Sequence, residues 1–242
     1  MSDERAREPD YGLDAPGVIR NLALAGAGCG AVALGLRFGN HQSWRSVSVF
    51  LAAGVMFFGE VAWMIWSSRT GKLRARDRLL DAMKLQPDAR VLDVGCGHGL
   101  LLIGAAKRAP RGQAVGIDLW SQTDQARNGR EHTLRNAELE GVADRVAVDT
   151  GDMRALPFPD GHFDAAVACL SIHNIPDASG RAQAVRELAR VLKPGGQIAL
   201  LDFKSTAEYA AAARDAGLHG VSRSGLWLSI FPPVRAVTGT KP

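Results

Sequence analysis

The stretch Val91–Gly99, VLDVGCGHG, is the part of the sequence that decides the fold. An apolar run ends in Asp93, and three glycines then alternate before a segment with helical spacing: Gly95, Gly97 and Gly99. Glycine allows positive φ and close approach of a ligand to the backbone. A nicotinamide-binding turn reads GxGxxG, whereas this one reads GxGxG with Leu100 in the third glycine's place. A carboxylate at the strand end also favours a ligand with positive charge over a pyrophosphate.

From Pro87 onward, strand-like and helix-like segments alternate along the chain. Short apolar runs such as QAVGIDL and FDAAVACLSI are each followed by a helical or polar segment. The alternation predicts an α/β domain over residues 87–242, with a doubly wound, Rossmann-like, mostly parallel seven-stranded sheet. Two strands are expected in the tail, where Pro232 and Pro233 interrupt them or confine them to an edge. Ligands bind such sheets at the carboxyl ends of the strands.

The turn and the segments around it resemble the class I S-adenosylmethionine-dependent methyltransferases of the type 11 group. The resemblance covers about Ala89 to Gly239 and includes the later segments DGHFDAAVACL and LKPGGQIALLDF. It implies S-adenosylmethionine as the cofactor. It also implies that Asp93 orients the cofactor's ammonium group, and that Gly95, Gly97 and Gly99 line the sulfonium side.

Four further positions are candidate cofactor contacts. Asp118 ends the second strand, 25 residues after Asp93, where a carboxylate can accept hydrogen bonds from vicinal ribose hydroxyls. The resemblance implies the same role and implies that Leu119 packs on adenine. It further implies that Asp152 accepts from the adenine amino group, with the backbone of Met153 against the ring. A helix cap for Asp118 and a plain turn for Asp152 are the alternatives.

His173, in LSIHNI just past the fourth strand, is the candidate catalytic residue. A general base is needed only if the methyl acceptor must lose a proton. Contact with substrate and a purely structural role are the alternatives for His173. No metal site is expected, because the three cysteines (Cys29, Cys96 and Cys169) lie far apart and form no Cys/His cluster of zinc spacing.

The stretch Ser121–Arg130 lacks apolar periodicity at the place where a relative would usually begin a helix. A loop there would lie over the edge of the cofactor. We hypothesise that it is a mobile lid that becomes ordered on binding. An ordinary polar helix is the alternative.

Two apolar blocks precede the α/β domain, at residues 18–36 and 47–66. Each is about the ~20 residues that a spanning helix needs. They predict a transmembrane helical hairpin over residues 18–66, after a flexible N-terminus (1–17) and before a basic linker helix (67–86). A helical pair packed on the soluble domain, or lying in the membrane interface, is the alternative.

Basic residues flank this hairpin unevenly. Five follow it: Arg69, Lys72, Arg74, Arg76 and Arg78. Only Arg37 and Arg45 lie in the connecting turn. The positive-inside rule therefore predicts a cytoplasmic-membrane protein with both termini and the α/β domain on the cytoplasmic side. The net charge of +4 is concentrated beside an apolar block, so a membrane surface is expected and nucleic acid is not.

The resemblance implies methyl transfer from S-adenosylmethionine, and the predicted membrane hairpin favours a hydrophobic small-molecule acceptor, such as a lipid or a quinone precursor, at the cytoplasmic membrane face. One alternative is a membrane protein that binds the cofactor without turnover, as a sensor or an assembly factor. A nicotinamide-dependent oxidoreductase is a second alternative. The GxGxG spacing and the absence of a YxxxK pair disfavour it.

Overall fold

A computed structural model describes residues 8–39, 43–121 and 128–242 of the chain. The chain forms two compact units. One is Leu13–Gly71, and the other joins the segment up to Gly12 with Lys72–Pro242. The predicted lid falls largely on residues 122–127, which lie outside the described residues.

The smaller unit consists of two helices, α1 (Pro16–Leu34) and α2 (Trp44–Trp66), each followed by a short π-helical stretch. The helices approach closely at small residues, since a Cβ built on Gly54 would lie 3.4 Å from the carbonyl oxygen of Gly26. Both are long and apolar enough to cross a membrane, with 11% of each apolar window buried. This support rests on length and composition alone, so the membrane span stays a prediction.

The larger unit is built on a seven-stranded sheet with the strand order β3-β2-β1-β4-β5-β7-β6. The strands are β1 (Arg90–Val94), β2 (Gln113–Asp118), β3 (Val146–Thr150), β4 (Phe163–Cys169), β5 (Leu192–Asp202), β6 (His219–Arg223) and β7 (Arg235–Thr240). The first five run parallel, and β7 is antiparallel to its neighbours β5 and β6. The predicted Rossmann-like, mostly parallel seven-stranded sheet is therefore confirmed.

Five helices accompany this sheet: α3 (Lys72–Met83), α4 (Leu100–Arg108), α5 (Arg130–Leu139), α6 (Ala178–Val191) and α7 (Thr206–Asp215). Their apolar faces meet buried strand residues, and β1 and β2 are buried over nearly their whole length. Asp177 is the N-cap of α6, and its Oδ1 accepts a hydrogen bond of 2.6 Å from the backbone N–H of Gly180. Such an N-cap satisfies a donor that the helix itself leaves unpaired.

One segment differs from the sequence prediction. Within the N-terminus that was predicted to be flexible, Tyr11 is buried, and its hydroxyl donates to Glu140 Oε1 at 2.9 Å. Lys72 Nζ donates to the carbonyl oxygens of Tyr11 and Gly12.

Candidate functional site

The glycine-rich turn follows β1 at the carboxyl edge of the sheet. Its glycines have left-handed backbone conformations, with φ of 67° at Gly95, 49° at Gly97 and 85° at Gly99. A Cβ built on Gly95 would lie 2.3 Å from Ser171 Cβ and 3.3 Å from Met153 Cε. Ser171 follows β4 and Met153 follows β3, so the structure brings the ends of three strands together here.

The same distances give a packing reason for two of the glycines. A side chain at Gly95 would meet Ser171, and one at Gly99 would meet Thr133 Cγ2 at 2.9 Å and Ile103 Cδ1 at 3.0 Å. The free space that glycine provides at these two positions is therefore filled by the protein. Their predicted role of lining a cofactor stays a prediction.

Asp93 is a buried carboxylate beneath the turn. It is 2% exposed, and its Oδ2 accepts a hydrogen bond of 2.8 Å from the backbone N–H of Leu102 in α4. Burial raises the pKa of Asp93 to about 8, and the nearby charge of Asp118 adds to the increase. A cationic group placed beside this carboxylate would offset the cost of burying its charge. The environment of Asp93 therefore fits an ammonium-bearing ligand.

Asp118 connects the end of β2 to the glycine turn. Its Oδ2 accepts from the backbone N–H of Gly97 at 2.9 Å. Its Oδ1 accepts from the backbone N–H of Trp120 at 2.7 Å and from Asn128 Nδ2 at 3.2 Å. A carboxylate offers about four acceptor positions, so these three donors leave room for one ribose hydroxyl. A second ribose hydroxyl would have to replace Asn128.

The predicted adenine contacts have different surroundings. The Asp152 carboxylate forms an ion pair with Arg154, whose Nη2 lies 2.6 Å from Oδ2, and this contact lowers the pKa of Asp152. An adenine amino group would share this carboxylate with Arg154. Leu119 is 62% exposed, so other side chains leave room for a base against it. Met153 packs toward Gly95, as described above.

His173 lies beside a buried acid that the sequence analysis missed. His173 Nδ1 is 2.9 Å from Oδ1 of Asp202, which ends β5 and is 1% exposed. The hydroxyl of Tyr209 donates to Asp202 Oδ2 at 3.1 Å, and burial together with the charge of Asp202 raises the pKa of Tyr209. The Phe203 ring lies 4.5 Å from the imidazole. Asp202 is the last residue of β5, and Asp93 is the last but one of β1. An acid at the end of the apolar run LLDF was therefore the feature of the sequence that could have indicated Asp202.

Helix α5 holds the glycine turn from the other side, which the sequence analysis also missed. Thr133 Oγ1 donates to the carbonyl oxygen of Gly97, and Asn136 Nδ2 donates to that of His98 at 2.9 Å. Asn136 is shared with the N-terminal segment, because its amide exchanges two hydrogen bonds with the backbone of Asp10. A threonine and an asparagine in a predicted helix do not indicate such a role from the sequence alone.

The acceptor groups at this edge suit a nucleoside that carries a cationic amino-acid group. Asp93 provides a buried acceptor for a cation, and Asp118 provides an acceptor for a sugar hydroxyl. Over residues 8–39, 43–121 and 128–242, no group of three His, Cys, Asp or Glu side chains is placed to hold a metal ion.

Comparison with known sequences finds a family model that matches the turn and the strands around it. Residues 91–196 match the family described as "Methyltransferase domain". The chain is 36% identical over 143 residues to 27-O-demethylrifamycin SV methyltransferase of Amycolatopsis mediterranei, covering 59% of this chain and 49% of that protein. It is 37% identical over 119 residues to 2-phytyl-1,4-naphtoquinone methyltransferase of Synechococcus elongatus, covering 49% and 47%. The chain thus spans about half the length of these curated relatives.

Solved structures share the fold at lower identity. The YcgJ protein of Bacillus subtilis aligns with a TM-score of 0.56 at 18% identity, covering 69% of this chain and 98% of that one. A SAM dependent methyltransferase from Aquifex aeolicus aligns with a TM-score of 0.55 at 20% identity, covering 71% and 92%. Residues 91–196 thus match a methyltransferase domain, and the solved structures share the α/β fold of the larger unit.

Proposed function

We propose that the chain transfers the methyl group of S-adenosylmethionine to a hydrophobic small molecule at the cytoplasmic face of a membrane. The observation that supports turnover is the pairing of His173 with the buried Asp202 at the same sheet edge as the glycine turn. A histidine beside a buried acid is an arrangement that catalytic bases use.

In this proposal His173 removes a proton from the acceptor. The charge of Asp202, 2.9 Å from Nδ1, would stabilise a proton on that nitrogen, and Nε2 would then be the proton acceptor. When bound, the cofactor supplies an activated methyl group. The residues of the chain position the acceptor, accept its proton at Nε2 and exclude water. The acceptor is therefore one whose nucleophile carries a proton, such as the hydroxyl of a quinol or an enol.

An apolar surface beside His173 supports a hydrophobic acceptor. Phe203 is 40% exposed and its ring lies 4.5 Å from that of His173, so it can form one wall of an acceptor site. The relative named for 2-phytyl-1,4-naphthoquinone supports the same class, because a phytyl chain is hydrophobic. The two long apolar helices of residues 13–71 support a membrane location, with both termini cytoplasmic by the distribution of basic residues.

The test is methyl transfer by the full chain in detergent. Methyl-labelled S-adenosylmethionine is supplied with a fractionated membrane extract or with 2-phytyl-1,4-naphthoquinol. We expect label in the organic phase, and we expect His173→Gln to lower kcat by about 100-fold or more, the usual contribution of a general base. His219→Gln, at an exposed position in β6, is the matched control and should retain the rate.

Asp202→Asn tests the partner of the base. It should lower kcat by about 10-fold, because Nδ1 of His173 loses its neighbouring carboxylate. Cofactor binding that persists without any labelled product would favour a binding protein without turnover. Binding of NAD as tightly as S-adenosylmethionine would favour the oxidoreductase alternative.

A further inference from the structure

The segment Ser224–Val234, named here the Trp227 loop, connects β6 to β7 and presents apolar side chains outward. Leu226 is 54% exposed and Leu228 is 61% exposed, whereas Trp227 between them is 8% exposed. The base of the loop is fixed by two backbone hydrogen bonds between Trp227 and Val234, of 2.8 Å and 3.2 Å. The exposed leucines are therefore held on a defined support.

The loop leaves the sheet at the edge that carries the catalytic candidates. Arg235, the first residue of β7, pairs with Asp202, the last residue of β5. The Trp227–Val234 bridge joins two residues within the loop, and Val234 directly precedes Arg235. The Trp227 loop, Phe203 and the His173–Asp202 pair consequently share one edge of the domain.

A basic helix face lies against this loop. Arg78 Cζ is 4.1 Å from the centre of the Trp227 ring, and Arg74 precedes it by four residues, on the same face of α3. The acidic residues of α3, Asp77 and Asp81, instead form ion pairs with Arg108 of α4. Exposed leucines on both sides of Trp227 and the guanidinium of Arg78 over its ring make this surface apolar and positively charged.

We propose that the Trp227 loop docks on the surface of an anionic lipid bilayer. Leu226 and Leu228 enter the headgroup region, and Arg74 and Arg78 bind lipid phosphates, so that a hydrophobic acceptor reaches His173 directly from the lipid. The proposal rests on the membrane location proposed above. Charge favours lipid over a second copy of the chain, because a two-fold contact would bring the same arginines together.

The test uses the full chain in nanodiscs of phosphatidylcholine and phosphatidylglycerol that contain an alkyne-tagged lipid. A benzoylphenylalanine photo-crosslinker replaces Leu226, and in the matched control it replaces Leu139, a partly exposed residue of α5 beside β3, at the opposite edge of the sheet. We expect tagged-lipid adducts at 226 at about ten times the level at 139, and fewer adducts in nanodiscs without phosphatidylglycerol, where the arginines have less attraction.

Leu226→Ser provides a functional readout that does not depend on folding of the core. It should reduce methyl transfer to a long-chain acceptor in nanodiscs several-fold and leave the rate with a water-soluble, short-chain analogue unchanged.

Equal adducts at positions 226 and 139, or crosslinks from 226 to a second copy, would overturn the proposal. Extraction of the chain from membranes by alkaline carbonate would also overturn it, because the membrane location would then be wrong. Strong lipid adducts without detectable methyl transfer would support the docking surface while rejecting the proposed activity, so the two failures are distinguishable.

Discussion

At the scale of single residues, Asp93 shows how a buried carboxylate can lower the stability of the folded chain. Burial raises its pKa from 3.8 to about 8, so between those values the folded chain holds a proton that the unfolded chain has released. The free energy of unfolding contributed by this group therefore falls as pH rises from about 4 to about 8, and it is flat outside that window. A bound cation would reverse this loss by stabilising the ionised carboxylate.

Asp93→Asn is expected to separate the two effects. Without its cofactor, the variant should unfold at a higher temperature than wild type at pH 8, with a smaller difference toward pH 5. Its affinity for S-adenosylmethionine should fall by about 10- to 100-fold, because a hydrogen bond to a charged group is lost. Thermal unfolding in detergent and titration calorimetry measure both, and Asp88→Asn, at an exposed position, is the control. Unchanged affinity would contradict the ammonium-binding role.

Gly95 is a second residue whose local geometry makes a quantitative prediction. Gly95→Ala combines a positive φ with a Cβ placed 2.3 Å from Ser171 Cβ. The variant should lose about 2–4 kcal/mol of unfolding free energy from backbone strain and overpacking. Ser171→Gly removes the clashing atom, so the double variant should be more stable than the sum of the single losses predicts. A purely additive double-mutant cycle by chemical denaturation would show that the clash is relieved elsewhere.

At the scale of elements, helix α5 connects the glycine-rich turn to the N-terminal segment. Its Asn136 amide bonds the carbonyl oxygen of His98 in the turn and both backbone groups of Asp10. Lys72 then binds the carbonyl oxygens of the next two residues, Tyr11 and Gly12. The segment immediately before Leu13 is thus hydrogen-bonded to the helix that supports the glycine-rich turn.

Asn136→Ala should loosen the turn as well as the N-terminal segment. We expect the unfolding free energy to fall by about 1–3 kcal/mol, because buried backbone groups lose their partners. The affinity for S-adenosylmethionine should weaken about 10-fold. Glu138→Ala, at an exposed position of the same helix, should change neither quantity. A destabilised variant that retains full affinity would mean that α5 is only a scaffold.

At the scale of the whole molecule, the chain combines a pair of long apolar helices with a methyltransferase domain. An enzyme held at a membrane meets hydrophobic acceptors at high local concentration. The proposed orientation follows from the basic residues after the hairpin, which the positive-inside rule assigns to the cytoplasm.

Reporter fusions at the C-terminus test this orientation. Green fluorescent protein fused after Pro242 should fluoresce, and alkaline phosphatase at the same place should be inactive, since the latter folds only outside the cytoplasm. Replacing the basic residues at 69, 74 and 78 by glutamine should weaken the preference. Phosphatase activity in the unmodified fusion would contradict the cytoplasmic placement.

Local pattern was sufficient for a large part of this protein. The strand–turn–helix around Val91–Gly99, the alternation of elements and the two apolar blocks depend on short-range spacing and hydropathy, which a single sequence carries in full. The match to a methyltransferase domain was therefore predictable, and the comparisons support it.

Tertiary structure alone decided which distant groups meet. His173 lies beside Asp202, 29 residues away, and Asn136 bonds both residue 98 and residue 10, which is 126 residues away. The Trp227 loop reaches the carboxyl edge of the sheet because β7 is inserted antiparallel to β5. Such contacts arise from the order and direction of strands in the sheet, and that order is set by burial of the whole core rather than by any local pattern.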